Sequence, residues 1–222
     1  MKRVVMVHTA PANVARFELL AEELLPGVMV EHVVDESLLQ ETIAAGALTA
    51  EVEQRFIERA EALRAGGADA VVLTCSSVGP AADLVSEGPM PVLRIDVAMA
   101  EEAVRLGNRV GVAATLPTTL GPTADLIHAA AGRAGRVVEV RTRLAEGAFQ
   151  LLTSDPAEHD RRVRDCLAEL ADWAEVIVLA QASMTRAIQG TSIEASGRLV
   201  PLLTSPRLGV ERLSTVLSDA AS

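Results

Sequence analysis

No tyrosine occurs in the 222 residues, and the aromatic complement is one tryptophan and three phenylalanines. So few aromatics exclude a stacking platform for nucleobases. Charge excludes the same partner independently: 30 Asp and Glu against 20 Lys and Arg leave a net −10, with no basic cluster to meet phosphates. Half the residues are apolar, yet no uncharged apolar run reaches the ~18 residues a membrane span requires. The opening MKRVVMVHTAPANVARFELL meets charge too soon for a signal peptide, so a cytoplasmic location is expected. The two cysteines, Cys75 and Cys166, are then expected as free thiols. Phosphate and dinucleotide loops, GxSxG and CxxC are missing, and His32, His128 and His159 lack metal-ligand spacing. Neither cofactor nor metal is expected. What remains is an acidic protein acting on something small.

Strand-like runs alternate with segments of helical period along the whole chain. Strands are expected near Arg3–Val7, Val28–Val34, Ala70–Leu73 and Pro91–Arg94, then near Arg109–Ala113, Arg136–Val140, Val176–Leu179 and Leu199–Leu203. Helical segments such as Val14–Leu25, Thr49–Ala65, Val97–Leu106, Leu120–Ala131, Asp160–Trp173 and Leu208–Leu217 lie between them. This alternation implies an α/β fold of parallel βαβ units.

The two sets of strands resemble each other. RVVMVHTAP begins at Arg3 and RVGVAATLP at Arg109, a shift of 106 (109 − 3). ADAVVLTCSS begins at Ala68 and its counterpart AEVIVLAQAS at Ala174, again 106 (174 − 68). Two matches at one offset point to duplicated halves. The expected architecture is two pseudo-symmetric parallel-sheet lobes with an inter-lobe cleft, residues 1–97 plus 207–222 forming the first and 98–206 the second. Under this alignment Thr9 is equivalent to Thr115, and Cys75 to Gln181. All four fall just beyond carboxyl ends of strands, where ligands of open α/β sheets collect.

Cys75 ends a buried-looking strand in the run LTCSSVGP and is followed by a turn into a probable helix. A helix N-terminus would favour its thiolate. Thr74, Ser76 and Ser77 surround it with hydroxyls and backbone N–H groups suited to a carboxylate. The alternative is a packed, inert thiol. Thr115 and Thr118, in TLPTT, could hold a second anionic group or simply cap the next helix. Thr9 and His8, in HTAP, occupy the equivalent place in the first half; His8 is a candidate proton relay or a structural histidine. Gln181 and Ser183, in AQASMT, can hydrogen-bond a substrate or cap locally, but an amide is neither acid nor base at neutral pH. Cys166 lies on the apolar side of an amphipathic segment and reads as structural.

These residues resemble the aspartate/glutamate racemase superfamily, which includes hydantoin racemases, maleate isomerases and arylmalonate decarboxylases. The resemblance rests on VLTCSS, VIVLAQASM, RVGVAATLPTT and LLTSPRLGVERL, and it spans nearly the whole chain. It implies a homo-oligomer such as a dimer and a small carboxylate substrate. It also implies catalysis without pyridoxal phosphate, in which two cysteines flank the substrate α-carbon. Cys75 matches the first of them, while the second aligns with Gln181. The expected function is therefore a cofactor-independent isomerase or racemase-like enzyme acting next to a carboxylate, with Cys75 as base or nucleophile. A single-cysteine lyase of the malonate decarboxylase type and an inactive carboxylate-binding protein are the alternatives.

Overall fold

The structure is a computed structural model that describes residues 1–85, 88 and 90–219. The chain divides into two compact units, Met1–Asp96 with Pro206–Ser222 and Val97–Ser205. Residues 220–222, placed in the first lobe from sequence, lie outside the described residues.

In the first unit, β1 (Arg3–His8), β2 (Met29–Val34), β3 (Ala70–Leu73) and β4 (Val92–Arg94) form a parallel sheet in the order β2-β1-β3-β4. Between them run α1 (Ala12–Leu24), α2 (Glu36–Ala45), α3 (Ala50–Ala65) and the single turn α4 (Pro80–Asp83). The inner strands β1 and β3 are buried on both faces, which is why they read as continuous apolar runs. Val4, Met6, Ala70 and Val72 pack with Phe17 of α1. Val5, Val7, Val71 and Leu73 pack the other way, against Leu38 of α2 and Val52 and Phe56 of α3.

The second unit begins with α5 (Val97–Leu106) and β5 (Arg109–Ala114). α6 (Pro117–Arg133), β6 (Glu139–Leu144), α7 (Ala148–Ser154), α8 (Pro156–Ala171) and β7 (Val176–Leu179) follow. A 3-10 segment, Ala182–Ala187, leads into the hairpin β8 (Ser192–Ala195) and β9 (Arg198–Thr204). The sheet order is β6-β5-β7-β9-β8, parallel except for the β8–β9 pair. The final helix α9, Ser205–Asp219, returns the chain to the first unit, where Val210 and Leu213 pack with Ile95 and Phe17. Among the described residues no helix is long and apolar enough to cross a membrane.

The sheet registers reproduce the repeat. Val4 pairs with Ala70 and Val110 with Val176, an offset of 106 on both strands. Capping carboxylates follow the same rule. Asp69 accepts from the Arg3 N–H and Glu175 from the Arg109 N–H. The expectation for β6 is corrected. Arg136–Val140 begins too early, because Arg136 is spent closing α6: its N–H donates to Ala131 O while Gly135 takes φ +62°. Arg109 pairs with Glu139 where Arg3 pairs with Met29, an offset of 110 (139 − 29). The four extra residues are one added helical turn, since α6 has 17 residues and α1 has 13.

Gly209 lets α9 sit directly on the chain at Ile95. A Cβ there would overlap the Ile95 carbonyl oxygen and side chain. Gly209→Ala is expected to destabilise by about 1–3 kcal/mol through overpacking, despite the ~1 kcal/mol gain in helix propensity. Urea unfolding checks this: a more stable Gly209→Ala protein would overturn it.

Candidate active site

β3 runs out at Leu73, and the next residues turn instead of entering a long helix, because Gly79-Pro80 opens only the four-residue α4. This corrects the expectation of a helix N-terminus at Cys75. The thiol is instead nested in the turn. It is buried, and the Thr9 hydroxyl and the backbone N–H groups of Val78 and Ser77 point at Sγ. Burial pushes the thiol up from its ordinary value, with Asp96 adding to the push and the three donors opposing it. The net direction is upward, opposite to the lowering expected of a helix terminus. At rest Cys75 is a protonated thiol with thiolate-stabilising donors already in place.

Thr9, Thr74, Ser76 and Ser77 are all buried around it. Thr74 does not offer its hydroxyl to a ligand: Oγ1 donates to Val7 O at 3.1 Å and meets His8 Nδ1 at 2.8 Å. A hydroxyl has one proton. With that proton on Val7, His8 Nδ1 is the donor to Thr74, and His8 Nε2 accepts from His32 Nδ1 at 2.8 Å. Both nitrogens of His8 are thus committed, and its ring packs beside Phe17. Burial, reinforced by His32, lowers His8 to about 4. His8 is therefore a neutral strut between β1, β2 and β3, and it has no free nitrogen for the proton-relay role anticipated from sequence.

The strut makes the fold acid-sensitive. His8 titrates near 6.5 when unfolded and about 4 when folded, so the unfolded chain gains its proton first as pH falls. Stability is full above ~6.5, is lost downward toward ~4, and drops by about 2 kcal/mol between about pH 7 and 5. Urea midpoints of the wild type and His8→Gln over that interval test this. A flat wild-type midpoint would refute it.

Sequence inspection passes over two charged side chains: Asp96, whose charge bears on the thiol, and Arg94, which holds Asp96. Arg94, at the end of β4, donates from Nε and Nη2 to both oxygens of Asp96 at 3.1 and 3.2 Å, and from Nη1 to Asp83 of α4 at 2.9 Å. The Arg94 and Asp96 side chains are 4% and 1% exposed. The signal available in sequence was a pair of opposite charges two residues apart, in RID, closing a buried strand.

In the second unit the repeat-equivalent of Cys75 is Gln181, after β7. Its Oε1 accepts from Thr115 N at 2.6 Å, Thr115 Oγ1 at 3.0 Å and Leu116 N at 3.2 Å. One amide oxygen thereby fills the anion cradle that precedes α6. With Oε1 fixed, the amide NH2 is held facing the other way, a preset donor. Thr118 is buried in the first turn of α6, whose N-cap, Leu116, has no side-chain cap. Ser183 is half-buried in the 3-10 segment. The His8–Thr74 strut has no equivalent here: its positions carry Ala114 and Ala180. Cys166 is also buried, donates to Arg143 O at 3.5 Å, and is pushed up to about 12, chiefly by burial.

Two parallel-sheet α/β units built on one repeat, with a nested thiol at the end of β3 and a docked amide at the equivalent place after β7, define a duplicated-half α/β protein. A family model for Asp/Glu/hydantoin racemases matches residues 3–213, and the chain belongs to that family. Among solved structures, glutamate racemase from Bacillus anthracis superposes with a TM-score of 0.71 at 17% identity, covering 98% of this chain and 82% of that one. Glutamate racemase from Francisella tularensis, solved with D-glutamate, gives 0.70 at 16% identity over 99% and 82%. Allantoin racemase from Klebsiella pneumoniae gives 0.62 at 17% over 98% and 88%. At these identities the likeness is one of fold. No match was found among curated proteins.

Proposed function

We propose that the chain is a cofactor-independent enzyme that moves one proton at the carbon next to a carboxylate of a small acid, with Cys75 carrying that proton. The observation behind this reading is the asymmetry of two equivalent strand ends. One holds a thiol met by three donors. The other holds an amide whose oxygen is fixed by three donors and which can neither take nor give a proton. Racemisation with a base on each face needs two such groups, so the chemistry is one-sided.

The protonated resting thiol favours a lyase. The bond between the α-carbon and a second carboxyl group breaks, carbon dioxide leaves, and the electron pair passes into the remaining carboxylate as an enediolate. Cys75 S–H then donates its proton to the α-carbon and is reprotonated from solvent. Thr9 and the N–H groups of Ser77 and Val78 stabilise the transient thiolate. Ser76, Thr118, Gln181 and Ser183 are the proposed contacts to the carboxylates; Thr115, expected among them from sequence, gives both its donors to Gln181. The same donors support a second reading, an isomerase in which the thiolate adds to an activated double bond and is later expelled.

The test is proton NMR in D₂O with α-substituted acids, malonates and maleate, comparing the wild type with Cys75→Ser. The lyase reading expects one deuterium in a single product configuration, lost in the variant. Isomerisation without carbon dioxide release would select the second reading. Binding across the panel with no turnover would leave a carboxylate-binding protein; turnover indifferent to Cys75 would overturn the role given to that thiol.

A further inference from the structure

Two of the donors that face Cys75, the Ser77 and Val78 N–H groups, belong to a turn closed by Gly79 N–H to Ser76 O at 3.3 Å, with only the four-residue α4 behind it. The guanidinium of Arg94 lies against the Cα of Gly79. A Cβ on Gly79 would stand 2.8 Å from Arg94 Nε and 2.9 Å from Cζ and Nη2. That guanidinium is itself held on both sides, by both oxygens of Asp96 after β4 and by Asp83 on α4. The turn is thus gripped at its last residue and again four residues later, through one buried cation anchored in the sheet.

We propose that Arg94 is a positioning residue for Cys75: it clamps the 76–79 turn onto β4, so that the Ser77 and Val78 N–H groups stay aimed at Sγ, and it neutralises Asp96 beside the thiol. The inference rests on the proposed role of Cys75 but is measurable without turnover. Gly79 carries no side chain because the guanidinium occupies that space. Asp96 is buried because Arg94 covers both its oxygens. The charged group bearing on the thiol is Asp96 from the end of β4; Arg94 holds that carboxylate and is itself held by Asp83 on α4.

The absence of tyrosine gives a clean readout, since no phenolate ionises over the ultraviolet thiolate band. In a Cys166→Ala background Cys75 is the sole thiol, and its midpoint follows from absorbance against pH. Gly79→Ala displaces the guanidinium. It is expected to raise the midpoint by about one pH unit, a tenfold smaller thiolate fraction near neutrality. Asp83→Ala opens one arm of the clamp at a mostly exposed carboxylate and leaves no buried charge. It should move the midpoint the same way by less, and it decides the matter if Gly79→Ala fails to fold. Arg94→Lys keeps the charge but cannot span Asp96, Asp83 and the Gly79 face, so it should also raise the midpoint. A wild-type midpoint in folded Gly79→Ala, or in Asp83→Ala should the first not fold, overturns the clamp. A wild-type midpoint in Arg94→Lys does the same, because charge alone would then suffice. Shifted midpoints in a protein that turns over none of the panel would uphold the clamp while sinking the catalytic reading.

Discussion

Cys75→Ala is expected to lower kcat by about 10²–10⁴-fold, the range spanned by a positioned general acid or base, while the protein still folds and binds its acid. The variant removes only Sγ; Thr9 and the Ser77 and Val78 N–H groups can be met by water in the space left behind. The sign of the pH dependence then separates the two chemistries. Burial holds Cys75 as the neutral thiol. If that thiol is the proton donor, wild-type activity is flat through neutral pH and falls as pH rises through the thiol midpoint. If the thiolate attacks, activity climbs with pH toward the same midpoint. Titrations of kcat for the wild type, with Cys75→Ala as the floor, read this directly. A Cys75→Ala enzyme within threefold of the wild type would remove Cys75 from the chemistry altogether.

The parts of the fold that could be read from sequence are those buried on both faces. β1, β3, β5 and β7 present runs such as VVMV and VIVL because neither side meets water. β6 and β8 could not be read the same way. They are edge strands, EVRTRL and SIEA, with exposed or half-exposed residues throughout. Their places are set by pairing to β5 and β9, with the Ser196-Gly197 turn at positive φ joining β8 to β9. α2 and α7 were missed too, the second a short helix of seven residues.

The candidate site divides along similar lines. Cys75, Thr9, Thr115 and Gln181 were legible because the repeat puts them at strand ends. What they do there depends on partners far apart in sequence. His8 becomes a strut only when Thr74 and His32 arrive from β3 and β2. Arg94 and Asp96 carry no signal in sequence beyond two opposite charges, and their place becomes plain only with the guanidinium pressed on Gly79. The direction of the Cys75 shift depends on how much water the thiol loses, which no local pattern encodes.

The docked amide makes opposite predictions for folding and for binding when Gln181 becomes Glu. The cradle of Thr115 N, Leu116 N and Thr115 Oγ1 accepts a carboxylate oxygen as readily as an amide oxygen. Charge-assisted bonds are stronger than neutral ones, and the start of α6 favours negative charge by about 0.3–1 kcal/mol. The second unit should therefore be as stable as the wild type or more so. Gln181→Met keeps the length but removes the acceptor. It leaves two buried backbone N–H groups to water or to nothing, at a cost of about 1–3 kcal/mol. Binding runs the other way if Gln181 contacts the substrate carboxylate. Its NH2 donor becomes an oxygen anion, and two like charges at about 4 Å repel by about 4 kcal/mol at an effective dielectric of ~20. Gln181 is half-exposed, so solvent screens part of this and the expected loss of affinity is about 10- to 100-fold. Thermal unfolding beside calorimetric titration with a binding acid tests both halves. A Gln181→Glu protein that melts like the wild type and binds as tightly would show that this amide caps α6 and nothing more. One that is destabilised as much as Gln181→Met would show that Oε1 does not hold the cradle.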